Sequence, residues 1–163
     1  QNKEFHYMSD FLKDKGFIHY EISNFAKKKF ESKHNSAYWK YKEYLGIGPS
    51  AHSYNGRNQR SWNVANNTKY IKSLNENILP KEAEILSDKD QYNEMLMIGL
   101  RTTWGVDIGQ LNDKFSDEIL EIFRKTIQSK LEEGILIIEE NHLKIPEKHW
   151  FLADGIASDL FIV

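Results

Sequence analysis

The feature that most constrains the fold is an amphipathic stripe with an abrupt stop. Across residues 117–133 the apolar side chains Ile119, Leu120, Phe123, Ile127 and Leu131 recur at the spacing of one helix face, and the run ends at Gly134. Directly after it, Ile135-Leu136-Ile137-Ile138, a turn at Glu140-Asn141 and Leu143-Lys144-Ile145 read as a hairpin. Upstream, Ser87 with Asp90 three residues on opens a helix. Its apolar face is Tyr92, Met95, Leu96, Gly99, Leu100 and Thr103, and a short helix follows Asp107. A last helix spans about residues 147–160. Helices, a hairpin and a closing helix in this order outline a winged helix.

That outline invites a DNA-binding role, and charge argues against it. The helix at residues 117–133, in the place of a recognition helix, has five acidic and three basic residues. A groove-entering helix needs the reverse, because phosphate neutralisation supplies most of the affinity. The whole chain has a formal net charge of −2, so no nucleic-acid partner is expected and a packing or lid role is the bland alternative. With 163 residues, 40% of them apolar, the chain can bury one good core or two small ones. No apolar run approaches the length of a membrane span and no signal peptide opens the chain, so no membrane span and a cytoplasmic setting are expected. The absence of cysteine excludes disulfides, thiolate catalysis and an iron–sulfur cluster ligated by this chain alone. Helical spacing of Phe5, Met8, Phe11 and Leu12 begins almost at residue 1, so the chain reads as a C-terminal piece of something longer.

The first half is organised differently. A helix over about residues 4–15 is expected to stop at Gly16, and Phe17 to Ile22 then reads as a strand, half of a parallel α/β unit. Residues 27–33 are lysine-rich and read as a loop. Asn35 suits the cap of a short helix through Tyr41, and Tyr44 to Ile47 reads as a buried strand ended by Pro49. Asn55-Gly56 marks a turn between residues 51–54 and 60–63. Asn66 or Asn67 caps a helix with apolar Tyr70, Ile71 and Leu74, and Pro80 closes this half.

The chemistry concentrates between His34 and Tyr54. His34, Asn35, Tyr38 and Trp39 place imidazole, amide and two aromatic rings within six residues. His34 with Tyr38, and Asn35 with Trp39, are each four apart, so each pair can share a helix face. Imidazole beside such rings suits a flat, metal-bearing macrocycle, whereas a loop histidine taken alone is more often only a hydrogen-bonding group. Gly46 and Gly48 follow, then Ala51 and His52. The glycines lack the third member of a dinucleotide fingerprint, and they suit close backbone approach to a ligand and a tight strand exit equally. Residues 27–42 hold six lysines and one acid, Glu31. Lys27, Lys28, Lys29, Lys33, Lys40 and Lys42 are therefore candidates to pair with porphyrin carboxylates.

Three ordered motifs, Tyr20-Glu21-Ile22-Ser23-Asn24-Phe25-Ala26, His34-Asn35-x-x-Tyr38-Trp39 and Tyr44-Leu45-Gly46-Ile47-Gly48-Pro49-x-Ala51-His52-Ser53, resemble the HemW-type heme chaperones, radical S-adenosylmethionine proteins long labelled oxygen-independent coproporphyrinogen III oxidases. The likeness continues through Gly99-Leu100-Arg101-Thr102, Gly105-Val106-Asp107, Leu131-x-x-Gly134 and Phe151-Leu152-Ala153-Asp154. It departs at Lys28-Lys29, where the family commonly has Pro-Gly, and at His149, where a glycine is usual.

The resemblance implies an α/β (α+β) fold. Residues 1–80 would be the end of a radical-SAM-type α/β barrel with its extension, and residues 81–163 a mostly helical, winged-helix-like C-terminal domain. It implies heme bound at His34, Asn35, Tyr38 and Trp39, with His34 the candidate iron ligand, since the motif is associated with the chaperones and missing from the true dehydrogenases. Gly46, Gly48, Ala51 and His52 would lie at the barrel end near the cofactor cleft. A [4Fe-4S] cluster and S-adenosylmethionine belong to the complete family protein, whose cluster cysteines this chain does not contain. The implied partners are heme or porphyrin, the N-terminal barrel of the same protein and a heme-accepting apoprotein. The enzyme alternative is oxidative decarboxylation of coproporphyrinogen III propionates, and a third is a non-catalytic lid.

Overall fold

A computed structural model describes residues 2–163 and contains two compact units, one formed by the residues up to Ser32 together with Asp88–Val163, the other by Lys33–Ser87. Helix α1 (Asn2–Asp14) stops where Gly16 takes a φ of +75°. The Gly16 and Phe17 N–H groups donate back to the carbonyls of Lys13 and Leu12 at 2.7 and 3.0 Å, which closes the helix end. Strand β1 (Ile18–Glu21) follows, but its ladder is antiparallel, formed with β2 (Asn24–Ala26), so the parallel α/β half-unit expected here is replaced by a hairpin. Glu21 supplies the reason. Its buried carboxylate accepts from the Ser23 N–H at 3.1 Å and from the Asn24 amide, folding the chain back on itself.

The second unit starts with α2 (Lys33–Trp39), continues through β3 (His52–Tyr54), β4 (Gln59–Asn63) and α3 (Asn67–Asn75), and ends with β5 (Lys81–Ile85). The strands form one antiparallel sheet in the order β3-β4-β5. The Asn55 side chain makes the β3–β4 turn, accepting from the N–H groups of Arg57, Asn58 and Gln59 at 2.9 to 3.1 Å. Asn66 caps α3 by accepting from the Lys69 N–H at 2.9 Å, as expected. Two expectations fail. Helix α2 begins two residues before Asn35, so Asn35 lies in its first turn rather than at its cap. Residues 44–47 are no buried strand: only Tyr44 pairs, with Tyr54, while Leu45 and Ile47 are 78% and 84% exposed.

The chain then returns to the first unit through α4 (Asp88–Gly99), β6 (Val106–Asp107), α5 (Ile108–Lys114), α6 (Asp117–Glu132), β7 (Ile137–Glu139) and β8 (His142–Lys144). A 3-10 turn at Glu147–Leu152 and α7 (Ala153–Ser158) complete it, so the single closing helix expected is split in two. The sheet order β6-β8-β7 behind α4, α5 and α6 is the winged-helix arrangement. Its core holds Leu96 and Leu100 beside Leu111, Leu120, Phe123 and Leu143, all buried. The Tyr92 ring meets Phe115 and Phe123 edge-on at 5.8 and 6.5 Å. Thr103, read as the end of the α4 face, lies beyond the helix, where its N–H bonds the Tyr20 carbonyl at 3.1 Å and joins the segment to β1.

A polar cluster ties α1 to the 3-10 turn. The Ser9 hydroxyl donates to Glu147 Oε1 at 2.9 Å and contacts His19 Nδ1 at 3.2 Å, and Lys13 pairs with the same carboxylate. The His19 ring stacks on Phe25 at 3.9 Å and meets Trp150 edge-on at 4.7 Å. Among the described residues no barrel closes and no helix is long and apolar enough to cross a membrane.

Candidate functional site

A cavity of about 790 Å³ lies within the Lys33–Ser87 unit, between α2 and one face of its sheet. Helix spacing builds one wall: His34, Ala37 and Tyr38 stand at positions i, i+3 and i+4 and therefore project together. Strand alternation builds the other. Arg60 and Trp62 are two apart on β4 and share a face, His52 on β3 is the register partner of Trp62, and Glu84 on β5 is the partner of Arg60. Tyr44 closes the lining, 5.8 Å from the Tyr38 ring and 6.3 Å from that of Tyr54. The His52 and Trp62 rings are 6.2 Å apart and tilted by 35°. The Arg60 guanidinium pairs with Glu84, both side chains about 40% exposed. So solvated a pair contributes on the order of 0–1 kcal/mol, and breaking it costs little.

The structure brings His34, Tyr38 and His52 together from the residues singled out in the sequence. Asn35 and Trp39 occupy the adjoining face of α2, with the Trp39 ring edge-on to Tyr38 at 5.1 Å, and do not line the cavity. Gly46, Gly48 and Ala51 form the scaffold beside His52. A side chain at Gly46 would drive its Cβ into the His52 carbonyl oxygen, so this glycine permits one stretch of the chain to pass another. Buried Asn63 holds that scaffold, donating to the carbonyl of Gly48 at 2.8 Å and of Gly46 at 3.4 Å, while the Ser53 hydroxyl accepts from the Gly46 N–H at 2.9 Å. Arg60, Trp62, Tyr44 and Glu84 were missed in the sequence. The alternation of Arg60 and Trp62 after the Asn55-Gly56 turn was the available signal for two of them.

None of the suspected lysines lines the cavity, whose fixed cation is Arg60. Lys27 is instead bonded to the Lys15 carbonyl beyond the end of α1, its ammonium 4.4 Å from the centre of the Phe17 ring.

The HemN C-terminal domain family matches residues 86–152, from just before α4 to the end of the 3-10 turn. Heme chaperone HemW of Lactococcus lactis is 31% identical over 152 residues, which are 93% of this chain and 40% of that protein. The chain resembles the HemW heme chaperones along most of its length. Heme chaperone HemW of Bacillus subtilis is 34% identical over 142 residues, 86% of this chain and 37% of that protein. The HemW-like chain thus spans about 40% of the length of the curated relatives it matches. In three dimensions it is similar to coproporphyrinogen III oxidase (HemN) from Escherichia coli, a radical SAM enzyme, with a TM-score of 0.68 at 17% identity over 96% of this chain and 39% of that one. The likeness shows a shared fold.

The cavity lies outside the matched HemN C-terminal domain but inside the long alignment with HemW. Its donor set fits a tetrapyrrole: two imidazoles able to face a metal, and phenol and indole rings able to pack on a flat macrocycle. A thiolate-held cluster does not fit this chain, which has no cysteine.

Proposed function

We propose that the Lys33–Ser87 unit binds heme and that the whole protein, HemW-like, hands it to an acceptor apoprotein. The observation that carries this reading is the convergence of His34 and Tyr38 on one face of α2 with His52 and Trp62 across the same cavity. At about 790 Å³ the cavity is within the roughly 300–1,000 Å³ range of small-molecule sites. His34 would hold the iron through an imidazole nitrogen, and the Tyr38 and Trp62 rings would pack against the macrocycle. Asn35 and Trp39 position α2, while Gly46, Gly48 and Ala51 shape the wall behind His52. A [4Fe-4S] cluster and S-adenosylmethionine are assigned to a barrel outside this sequence, since this chain has no cysteine to hold the cluster.

Titration of heme into the 163-residue chain, followed by its Soret band, tests the site. Saturable binding with a red-shifted band that is lost in His34→Ala is expected. Heme binding indifferent to His34, Tyr38 and Trp62 would leave only a structural lid. The structural neighbour's activity supplies the second reading for the whole protein. Protoporphyrinogen formation by the reconstituted full-length protein would favour that enzyme reading over the chaperone.

A further inference from the structure

We propose that Arg60 is the carboxylate receptor of the cavity and that Glu84 is a placeholder carboxylate displaced by the cargo, so that the site selects a tetrapyrrole by its propionates. This rests on the heme reading above and assigns to the same site the group that recognises the edge of the ring.

Position is the first argument. Arg60 lies one row from the His52–Trp62 pair on the same sheet face, a spacing of about 7 Å along the strand. A macrocycle packed on Trp62 therefore extends its edge substituents toward the guanidinium. Chemistry is the second. The guanidinium is planar and always charged, with donors in a fork that matches a carboxylate, and it already holds one, that of Glu84. A carboxylate of this chain thus rests on the Arg60 Nε–H, a donor that a ligand carboxylate would take. Exchange is the third. Both members of the pair are about 40% exposed, so the displaced Glu84 rehydrates without burial of an unpaired charge. Recapture of Arg60 by Glu84 then eases release, which delivery of a cargo requires. Finally, residues 33–87 contain eight basic and four acidic residues inside a chain of net charge −2, which favours an anionic ligand on this unit.

The test compares ferric protoporphyrin with its dimethyl ester, which keeps the iron and the ring but carries no carboxylate. Binding to the 163-residue chain is read by the Soret band, and dissociation by transfer to excess apomyoglobin. Wild type is expected to prefer the acid, and Arg60→Met to lower acid affinity by about tenfold while leaving the ester unchanged. Arg60→Lys should restore part of the preference, since it returns the charge without the fork. Glu84→Gln keeps an oxygen to orient Arg60 but removes the competing charge, so acid binding should tighten and dissociation slow, with no change for the ester. An acid-to-ester ratio unaltered in both Arg60→Met and Glu84→Gln would overturn the proposal while leaving the heme site standing. Failure of wild type to bind either porphyrin would remove both.

Discussion

Asn63 is buried, and its amide spans the carbonyls of Gly46 and Gly48 behind the cavity wall. Asn63→Ala leaves those carbonyls without this donor at a cost of about 1–3 kcal/mol, measurable by urea denaturation. Asn63→Asp should cost at least as much, because a carboxylate offers no N–H and repels both oxygens. His19 sets a pH dependence elsewhere. Burial disfavours its imidazolium and, despite hydrogen bonds with the Ile22 backbone and Glu147 and the nearby Glu147 charge, holds its pKa below the ordinary 6.5. The unfolded chain therefore takes up that proton first on acidification. The stability His19 contributes is complete above pH 6.5 and is lost as the pH falls through its folded value. Burial pushes the Glu147 carboxyl up, but hydrogen bonds from Lys13 and Ser9 outweigh it and leave the pKa below 4.5, so its contribution is lost further down the acid side. Melting temperature should fall steadily from pH 7 to pH 4. In His19→Gln the upper part of that slope should flatten, as a melting series across the range would show. At this scale the sequence exposed the histidines and rings, because their chemistry is intrinsic to the residue. It hid Glu84 and overrated the lysines, since a residue's facing follows from strand register.

Elements with a strong internal period were legible, and those defined by distant pairing were not. Helix α6 was visible because Ile119, Leu120, Phe123 and Ile127 form one stripe, and all four are buried. The wing hairpin was visible because Glu140 and Asn141, both at positive φ, make its turn. Strand β5, Lys-Glu-Ala-Glu-Ile, has no apolar alternation and exists because β4 offers it a ladder. Likewise α2 ends without a glycine: Tyr41 takes φ +54° while Lys42 and Tyr41 donate back to Ala37 and Tyr38, a closure no residue type announces. The stripe yields a quantitative expectation. Phe123→Ala empties a site on α6 against Tyr92 of α4 and should destabilise the chain by about 3–5 kcal/mol in denaturant melts. The cap of α5 is the milder case. Asp107 accepts from the Gly109 and Gln110 N–H groups at 2.8 and 3.2 Å, and Asp107→Ala should cost about 0.5–2 kcal/mol by the same measurement.

The two compact units differ in how much they bury, and stability should divide accordingly. The unit containing the winged helix has a continuous apolar core, with Tyr92, Leu96, Leu100, Leu111 and Leu143 fully enclosed. Within Lys33–Ser87, by contrast, only Asn63 and Leu86 are buried, while Ile71, Ile78 and Ile85 stand more than half exposed. Hydrophobic burial is the main favourable term in folding, so this unit should open at lower free energy than α4 and α6. Its cavity is then the part of the molecule a ligand can stabilise most. A ligand bound only to the closed form at 100 times its dissociation constant adds about 2.7 kcal/mol, a slowing of opening-limited exchange by about 100-fold. Hydrogen exchange on the 163-residue chain should therefore show fast amides in α2, β3 and β4 and slow ones in α4 and α6. Addition of ferric protoporphyrin should protect the first group strongly and leave the second almost unchanged, because amides that exchange by opening of the other unit gain nothing from this site. Protection spread evenly over both groups would mean that cargo binding is coupled to the whole chain. Protection confined to α4 and α6 would move the site away from His34.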